Sequence, residues 1–86
     1  ETPDQIAQNF KEQGNDMLTQ PVRYRKDALK YYTQGLEIEG VKNKEIIEAL
    51  YSNRAYVHFL LGNFGHCIED VEECLRLNPK HKKAVY

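Results

Sequence analysis

One pattern of large and small side chains occurs twice in this protein, and it limits the possible folds more than any other feature. A large residue is followed by a small one four positions later and by a larger one three positions after that. The members are Phe10, Gly14 and Met17 in the first copy and Tyr51, Ala55 and His58 in the second. Each copy is followed by a second pattern, which consists of a small residue, a large residue, a small residue and a leucine. Its members are Ala28, Tyr32, Gly35 and Leu36 after the first copy, and Cys67, Val71, Cys74 and Leu75 after the second. Because these intervals are helical and small residues let helices approach closely, each copy predicts a pair of packed helices.

Apolar residues at helical spacing predict four helices, which are separated by glycine, proline and polar residues. The predicted ranges are 4–19, 24–39, 44–61 and 64–77. Asp4 is a candidate N-cap of the first helix, which Pro21 terminates. Gly40 and Gly62 are suited to end the second and third helices. The stretch KHKKAVY, residues 80–86, is predicted to begin a fifth helix. No segment alternates apolar and polar residues over a useful length, so we expect an all-α fold with antiparallel neighbours.

Length and charge narrow the classes of partner. A protein of 86 residues forms one domain at most and buries only about 60–65% of its unfolded surface. Charged residues make up 29% of the sequence and the net charge is −1, which excludes bulk attraction to nucleic acid or to a membrane. No apolar run is long enough for a transmembrane helix. Without an initiator methionine, and with an apolar end, the sequence is interpreted as part of a longer protein, for which dimerisation of the separated piece is possible.

The cysteines and histidines do not predict a metal site or a disulfide. Cys67 and Cys74 lie about 10 Å apart along a helix, too far for a disulfide, and no further ligands have metal-site spacing. Their predicted role is core packing, in agreement with a reducing, cytoplasmic compartment. The histidines likewise share no metal spacing; they are His58, His66 and His81.

Catalytic patterns are also missing from the sequence. We find no nucleophile–base pair, phosphate loop or paired carboxylates in a plausible cleft, so we expect neither an enzyme nor a cofactor. The acidic run in the fourth predicted helix is interpreted as its solvated face. It consists of Glu69, Asp70, Glu72 and Glu73.

The repeated pattern, the turn sequence LGNF at 61–64 and Pro79 resemble the tetratricopeptide repeat, a helix–turn–helix unit of about 34 residues. The resemblance implies that helical hairpins stack as an α-solenoid. It divides a partial domain, residues 1–86, into repeat one at about 7–42, repeat two at about 48–81 and the start of repeat three at 82–86. Such arrays bind many kinds of partner, so this resemblance alone predicts the fold and not the function.

Four polar residues lie on the first helix of successive repeats, which lines the concave face of such an array. They are Lys11, Asn15, Asn53 and Lys83. Lysine ammonium and asparagine amide groups are hydrogen-bond donors. Donors that converge in a groove suit a carboxylate, such as the one at the C-terminus of a peptide.

The stretches that carry these residues, KEQGN and SNRA, together with Lys83, resemble the two-carboxylate clamp of tetratricopeptide-repeat co-chaperones. Those domains bind the C-terminal Glu-Glu-Val-Asp of heat-shock protein 90 and heat-shock protein 70. An arginine completes the family's clamp, and its position falls just past Tyr86. The resemblance implies that Lys11, Asn15, Asn53 and Lys83 bind the carboxylates of such a peptide.

One group of these co-chaperones is particularly similar. The stretches IAQNFKEQGN, YYTQGLEIEG and ALYSNRAY resemble the fungal cyclophilin-seven suppressor and animal tetratricopeptide repeat protein 4, which are cytosolic. The resemblance implies a cytoplasmic module that binds the C-terminal peptide of heat-shock protein 90, and it leaves open whether that of heat-shock protein 70 is bound as well. The alternative is a scaffold that binds an internal helix or another partner without a chaperone C-terminus.

Several of the same residues have simpler interpretations. Gly14, which costs roughly 1 kcal/mol against alanine in a helix, is interpreted as a site of close helix packing rather than of ligand contact. Two roles remain open for Arg54: an intramolecular ion pair with a glutamate, or a contact with the peptide. The tyrosines of the second helix are assigned to packing; they are Tyr24, Tyr31 and Tyr32.

Overall fold

A computed structural model describes residues 1–20 and 24–80, and these fold into four α-helices. The helices are α1 (Pro3–Leu18), α2 (Arg25–Leu36), α3 (Lys44–Leu60) and α4 (Phe64–Leu77). The described residues contain no strand, so the predicted all-α class is confirmed. The predicted break at Pro21 and the predicted fifth helix after Lys80 lie outside the described residues. Within the described part of the protein, no helix is both long and apolar enough to span a membrane.

The start of α1 differs from the prediction. Thr2, not Asp4, is the N-cap: its Oγ1 accepts the Gln5 N–H at 3.2 Å, and Gln5 Oε1 accepts the Thr2 N–H at 2.9 Å. Such a reciprocal pair satisfies two backbone donors at once. The Asp4 carboxylate instead accepts the N–H of Lys42 at 2.7 Å and that of Asn43 at 3.2 Å. Asp4 therefore joins the first turn of α1 to the start of α3.

The second helix ends earlier than predicted, whereas the third ends where its glycine indicated. α2 stops at Leu36, and the Glu37 N–H bonds back to the carbonyls of the last turn. The turn that follows places Ile38 and Val41 against the core, and Gly40 takes a positive φ of 82° within it. The partial burial of these two side chains against the core accompanies the early end of the helix. Gly62, with a φ of 80°, follows the C-cap of α3 as predicted.

The helices form two hairpins that share one core. α1 packs on α2, α3 packs on α4, and α3 also packs against α2. The fully or nearly buried core side chains are Ala7, Ala28, Tyr32, Ile46, Leu50 and Val57. Cys67 and Cys74 are buried free thiols, which confirms their predicted packing role.

Two glycines allow the close approach of neighbouring helices. A Cβ on Gly14 would lie 2.7 Å from Cδ1 and 2.8 Å from Cζ of the Tyr32 ring. A Cβ on Gly35 would lie 2.8 Å from Cδ2 of Leu50. Real Cβ atoms do not approach other carbons so closely, so a side chain at residue 14 would have to displace the buried Tyr32 ring, whereas one at residue 35 would have to shift only the end of the Leu50 side chain. The predicted packing role of Gly14 is confirmed.

The Gly14→Ala substitution tests this contact. The added methyl group must displace the Tyr32 ring, so we expect the free energy of unfolding to fall by about 1–3 kcal/mol. Gly65, in the first turn of α4, has no atom within 4 Å of an added Cβ. Gly65→Ala is therefore the matched control, and we expect it to be neutral or to stabilise by up to about 1 kcal/mol. Urea unfolding followed by circular dichroism measures both; equal stabilities for the two variants would contradict the packing account.

Candidate peptide-carboxylate site

Three of the four predicted site residues lie in the described part of the protein, on the first helices of the two hairpins. Lys11 and Asn15 are one turn apart on α1, where residues four apart share a face. Asn53 lies on α3, and its Nδ2 donates to Oδ1 of Asn15 at 3.1 Å. The structure therefore brings Asn15 and Asn53 together across the α1–α3 boundary. Lys83 lies outside the described residues.

A tyrosine adds a further hydrogen bond to this asparagine pair. The Tyr32 hydroxyl, from α2, donates to the same Oδ1 of Asn15. Asn15 Oδ1 thus accepts from two donors, and the Asn15 Nδ2 has no hydrogen-bond partner among residues 1–20 and 24–80. Asn15 is exposed, and Asn53 is half-buried. The pair can therefore offer amide N–H groups to a ligand at the protein surface.

Lys11 supplies the positive charge next to these amides. Its side chain is half-buried and makes no ion pair within the described ranges. It borders a cavity of about 640 Å³ between the first half of α1 and the start of α3, lined by Asp4, Gln5, Gln8, Asn9, Lys11, Glu12, Asn43, Glu45 and Ile46. Asn15 and Asn53 lie outside this lining. Because three carboxylates share the cavity with one lysine, the cavity itself does not favour an anionic ligand.

Arg54, the neighbour of Asn53, is committed to an intramolecular ion pair. Its Nε and Nη2 donate to the two carboxylate oxygens of Asp70 at 2.8 and 2.7 Å. Its Nη1 donates to Thr33 Oγ1 at 3.3 Å, and the guanidinium lies 5.6 Å from the Tyr51 ring centroid. The hydrogen bonds to Asp70 raise the pKa of Arg54 further. Of the two interpretations left open, the intramolecular pair is correct, although its partner is an aspartate rather than a glutamate.

The interpretation of the acidic run on α4 as wholly solvated is wrong for Asp70. Only 5% of this residue is exposed, whereas Glu69 and Glu72 are exposed. Asp70 lies three residues after Cys67 and four before Cys74, and this spacing puts it on the buried face of the helix. Its burial is tolerated because the bidentate bond to Arg54 compensates for the lost hydration.

His58 lies beside this ion pair. Its Nε2 is 3.8 Å from Oδ2 of Asp70, and its ring centroid is 5.1 Å from that of His66. Burial lowers the pKa of His58, and the Asp70 carboxylate opposes this shift only in part. No group of three or more histidine, cysteine, aspartate or glutamate side chains within residues 1–20 and 24–80 is arranged to hold a metal ion.

Sequence reasoning missed the hydrogen bond from Tyr32 to Asn15, because it assigned this tyrosine to packing alone. A signal was present in the repeat. The corresponding position of the second repeat is Val71, so packing there does not require a hydroxyl group. A buried tyrosine usually finds a partner for its hydroxyl, and Asn15 is the polar residue next to the glycine that the ring contacts.

Comparison with known proteins agrees with this architecture. Residues 48–81 match the tetratricopeptide repeat family. The Hsp90 co-chaperone Cns1 from Saccharomyces cerevisiae has a similar solved structure, with a TM-score of 0.87 and 43% identity over 95% of this chain and 25% of that one. This chain is a tetratricopeptide-repeat domain. The predicted stack of helical hairpins is therefore confirmed.

Two curated relatives define the group that the domain resembles. The Hsp70/Hsp90 co-chaperone CNS1 of Saccharomyces cerevisiae is 45% identical over 98% of this domain and 21% of its own length. Tetratricopeptide repeat protein 4 of Homo sapiens is 33% identical over 98% of this domain and 21% of its own length. The predicted resemblance to this group is confirmed, and the domain spans about a fifth of the length of these relatives.

Asp70→Asn tests the ion pair between Arg54 and Asp70. The substitution leaves the partly buried Arg54 charge without its carboxylate, and we expect a loss of about 2–4 kcal/mol in the free energy of unfolding. The exposed Arg76–Glu73 pair provides the control, since Glu73→Gln removes an equivalent pair at the surface and should leave stability unchanged. Urea unfolding compares the two variants. A loss in Glu73→Gln as large as that in Asp70→Asn would contradict the structural role of the buried pair.

His58→Gln tests the effect of the buried imidazole on stability. Because folding lowers the pKa of His58 from its usual 6.5, the unfolded state binds more protons below that pH. His58 therefore lowers stability as the pH falls from about 6.5 through its folded-state pKa. We expect unfolding measured at about pH 7.5 and about pH 5.5 to differ less in the variant than in the wild type. An equal difference in both proteins would show that His58 does not contribute.

Proposed function

We propose that this domain is a co-chaperone module that binds the C-terminal Glu-Glu-Val-Asp peptide of heat-shock protein 90, and of heat-shock protein 70, through a carboxylate clamp. The clamp consists of Lys11, Asn15, Asn53 and Lys83. The observation that carries the proposal is the direct hydrogen bond between Asn15 and Asn53, which puts two amide groups side by side with Lys11 one turn away. Relatives named as Hsp70/Hsp90 co-chaperones support the choice of ligand.

The chemistry of the donors suits the free C-terminus of a peptide. A C-terminal aspartate carries two carboxylates within one residue, so it can accept from an ammonium group and from amide N–H groups at the same time. Lys11 supplies a charge-assisted bond, which is stronger than a neutral one, and the asparagine pair supplies direction. An internal peptide segment lacks the α-carboxylate and would satisfy fewer of these donors.

In this proposal the two repeats and the start of the third form one continuous binding surface. Repeat one covers about 7–42, repeat two covers about 48–81, and Lys83 stands in the start of repeat three at 82–86. In the same proposal the domain acts in the cytoplasm and binds the peptide without catalysing a reaction on it. The co-chaperone names of its relatives support the binding role.

Binding of a labelled Met-Glu-Glu-Val-Asp peptide tests the proposed function. We expect a micromolar dissociation constant, which corresponds to about −8 kcal/mol, and weaker binding as salt is raised. Lys11→Ala or Asn53→Ala should weaken binding by about 2–4 kcal/mol. Each variant removes a hydrogen-bond donor and leaves a peptide carboxylate without one of its partners. Fluorescence anisotropy titrations measure the affinities.

Two controls separate clamp binding from general attraction. The same peptide with a C-terminal amide lacks the α-carboxylate, and we expect its binding to be lost. Lys30→Ala removes an exposed lysine of α2 that borders neither the cavity nor the asparagine pair, so it should bind like the wild type. If the amide binds as well as the free acid, or if Lys11→Ala keeps wild-type affinity, the clamp is excluded and the scaffold alternative replaces it.

A further inference from the structure

We propose that Tyr32 is a positioning residue of the carboxylate site, whose hydroxyl fixes the side-chain amide of Asn15 with Nδ2 turned towards the ligand. The inference rests on the proposed function, because it specifies how one member of that clamp is held. It assigns a role in recognition to a residue that is fully buried and cannot itself touch a bound peptide.

The position of the Tyr32 side chain is fixed by its surroundings. The residue has no exposed surface and belongs to the core shared by the hairpins. Its ring lies against the backbone of Gly14, where there is no room for a Cβ atom. From that position the hydroxyl reaches the side chain of the next residue in α1, Asn15. The close contact and the hydrogen bond are therefore consequences of the same arrangement.

The Tyr32 hydroxyl acts as a donor in this bond. Burial raises the pKa of Tyr32 well above its usual value, so the hydroxyl keeps its proton at neutral pH. A buried O–H group without an acceptor is costly, and the acceptor here is Asn15 Oδ1. The tyrosine thereby determines which end of the Asn15 amide faces the interior.

The second hydrogen bond at Asn15 has the same effect. Asn53 Nδ2 also donates to Asn15 Oδ1, so both lone pairs of this oxygen are used within the protein. The Asn15 NH₂ group then points away from both donors, with two hydrogens for a carboxylate. If the Tyr32 hydroxyl is removed, one interior bond is lost, and a half-turn of the amide would present Oδ1 to the ligand, where it repels a carboxylate.

Packing alone does not account for the hydroxyl group. The equivalent position in the second repeat is Val71, which fills its place without any polar atom. The neighbouring tyrosine, Tyr31, is half-buried and has no hydrogen-bond partner among residues 1–20 and 24–80, although it stands on the same helix. The hydroxyl at residue 32 therefore has a specific partner, whereas the one at residue 31 has none within the described ranges 1–20 and 24–80.

Tyr32→Phe, which removes only the oxygen atom, tests the proposal. We expect the free-acid Met-Glu-Glu-Val-Asp peptide to bind roughly three- to tenfold more weakly, as for the loss of one hydrogen bond that orients a donor. The matched control Tyr31→Phe should bind like the wild type. Circular dichroism confirms that each variant is folded before it is titrated.

A double-mutant cycle separates positioning from a general loss of structure. If Tyr32 acts through Asn15, then Tyr32→Phe should have no further effect on peptide affinity in the Asn15→Ala background. The same loss in both backgrounds, or wild-type affinity in Tyr32→Phe alone, would overturn the positioning role while leaving the clamp intact. Equal binding of free acid and amide by the wild type would instead exclude the clamp, and this role with it.

Discussion

The contact between the Tyr32 ring and the backbone of Gly14 is the interaction on which the rest of the domain depends. It sets the distance between α1 and α2, and the first hairpin provides the surface on which α3 packs. The same contact places a hydroxyl group beside Asn15 at the groove. A helix-interior glycine costs about 1 kcal/mol of helix stability, and here it permits both the close packing and the hydrogen bond.

The position of α3 is fixed by hydrogen bonds from two consecutive residues whose side chains point in different directions. Asn53 bonds to Asn15 of α1, whereas Arg54 bonds to Thr33 of α2 and Asp70 of α4. Consecutive residues of a helix point about 100° apart, so these bonds resist rotation of α3 about its axis. A carboxylate site needs such support, because its donors must stay within a fraction of an ångström of the productive geometry.

Helical periodicity and the pattern of large and small residues were enough to predict four helices and the packing role of Gly14, whereas the common face of Asn15 and Asn53 followed from the resemblance to tetratricopeptide repeats. Two errors concern side chains that bond to residues far along the sequence, whereas the Thr2–Gln5 capping box is a local signal that the assignment of Asp4 overlooked. Asp4 matches an N-cap locally, but its partners are the N–H groups of Lys42 and Asn43. Asp70 looks like one charge among four, and only the approach of Arg54 from α3 makes its burial favourable. Local patterns cannot indicate such partners, because tertiary packing brings them together.

In the proposed clamp, attraction and selectivity come from different groups. Lys11 makes no ion pair within residues 1–20 and 24–80, so its charge acts on an approaching anion, although Glu12 and Glu45 border the same cavity and weaken that attraction. The asparagine amides carry no net charge and act only at hydrogen-bond distance. A domain with a net charge of −1 cannot hold an acidic peptide by bulk electrostatics. In the proposed clamp, recognition of a carboxylate therefore depends on the direction of a few N–H groups, and the orientation of the Asn15 amide is decisive.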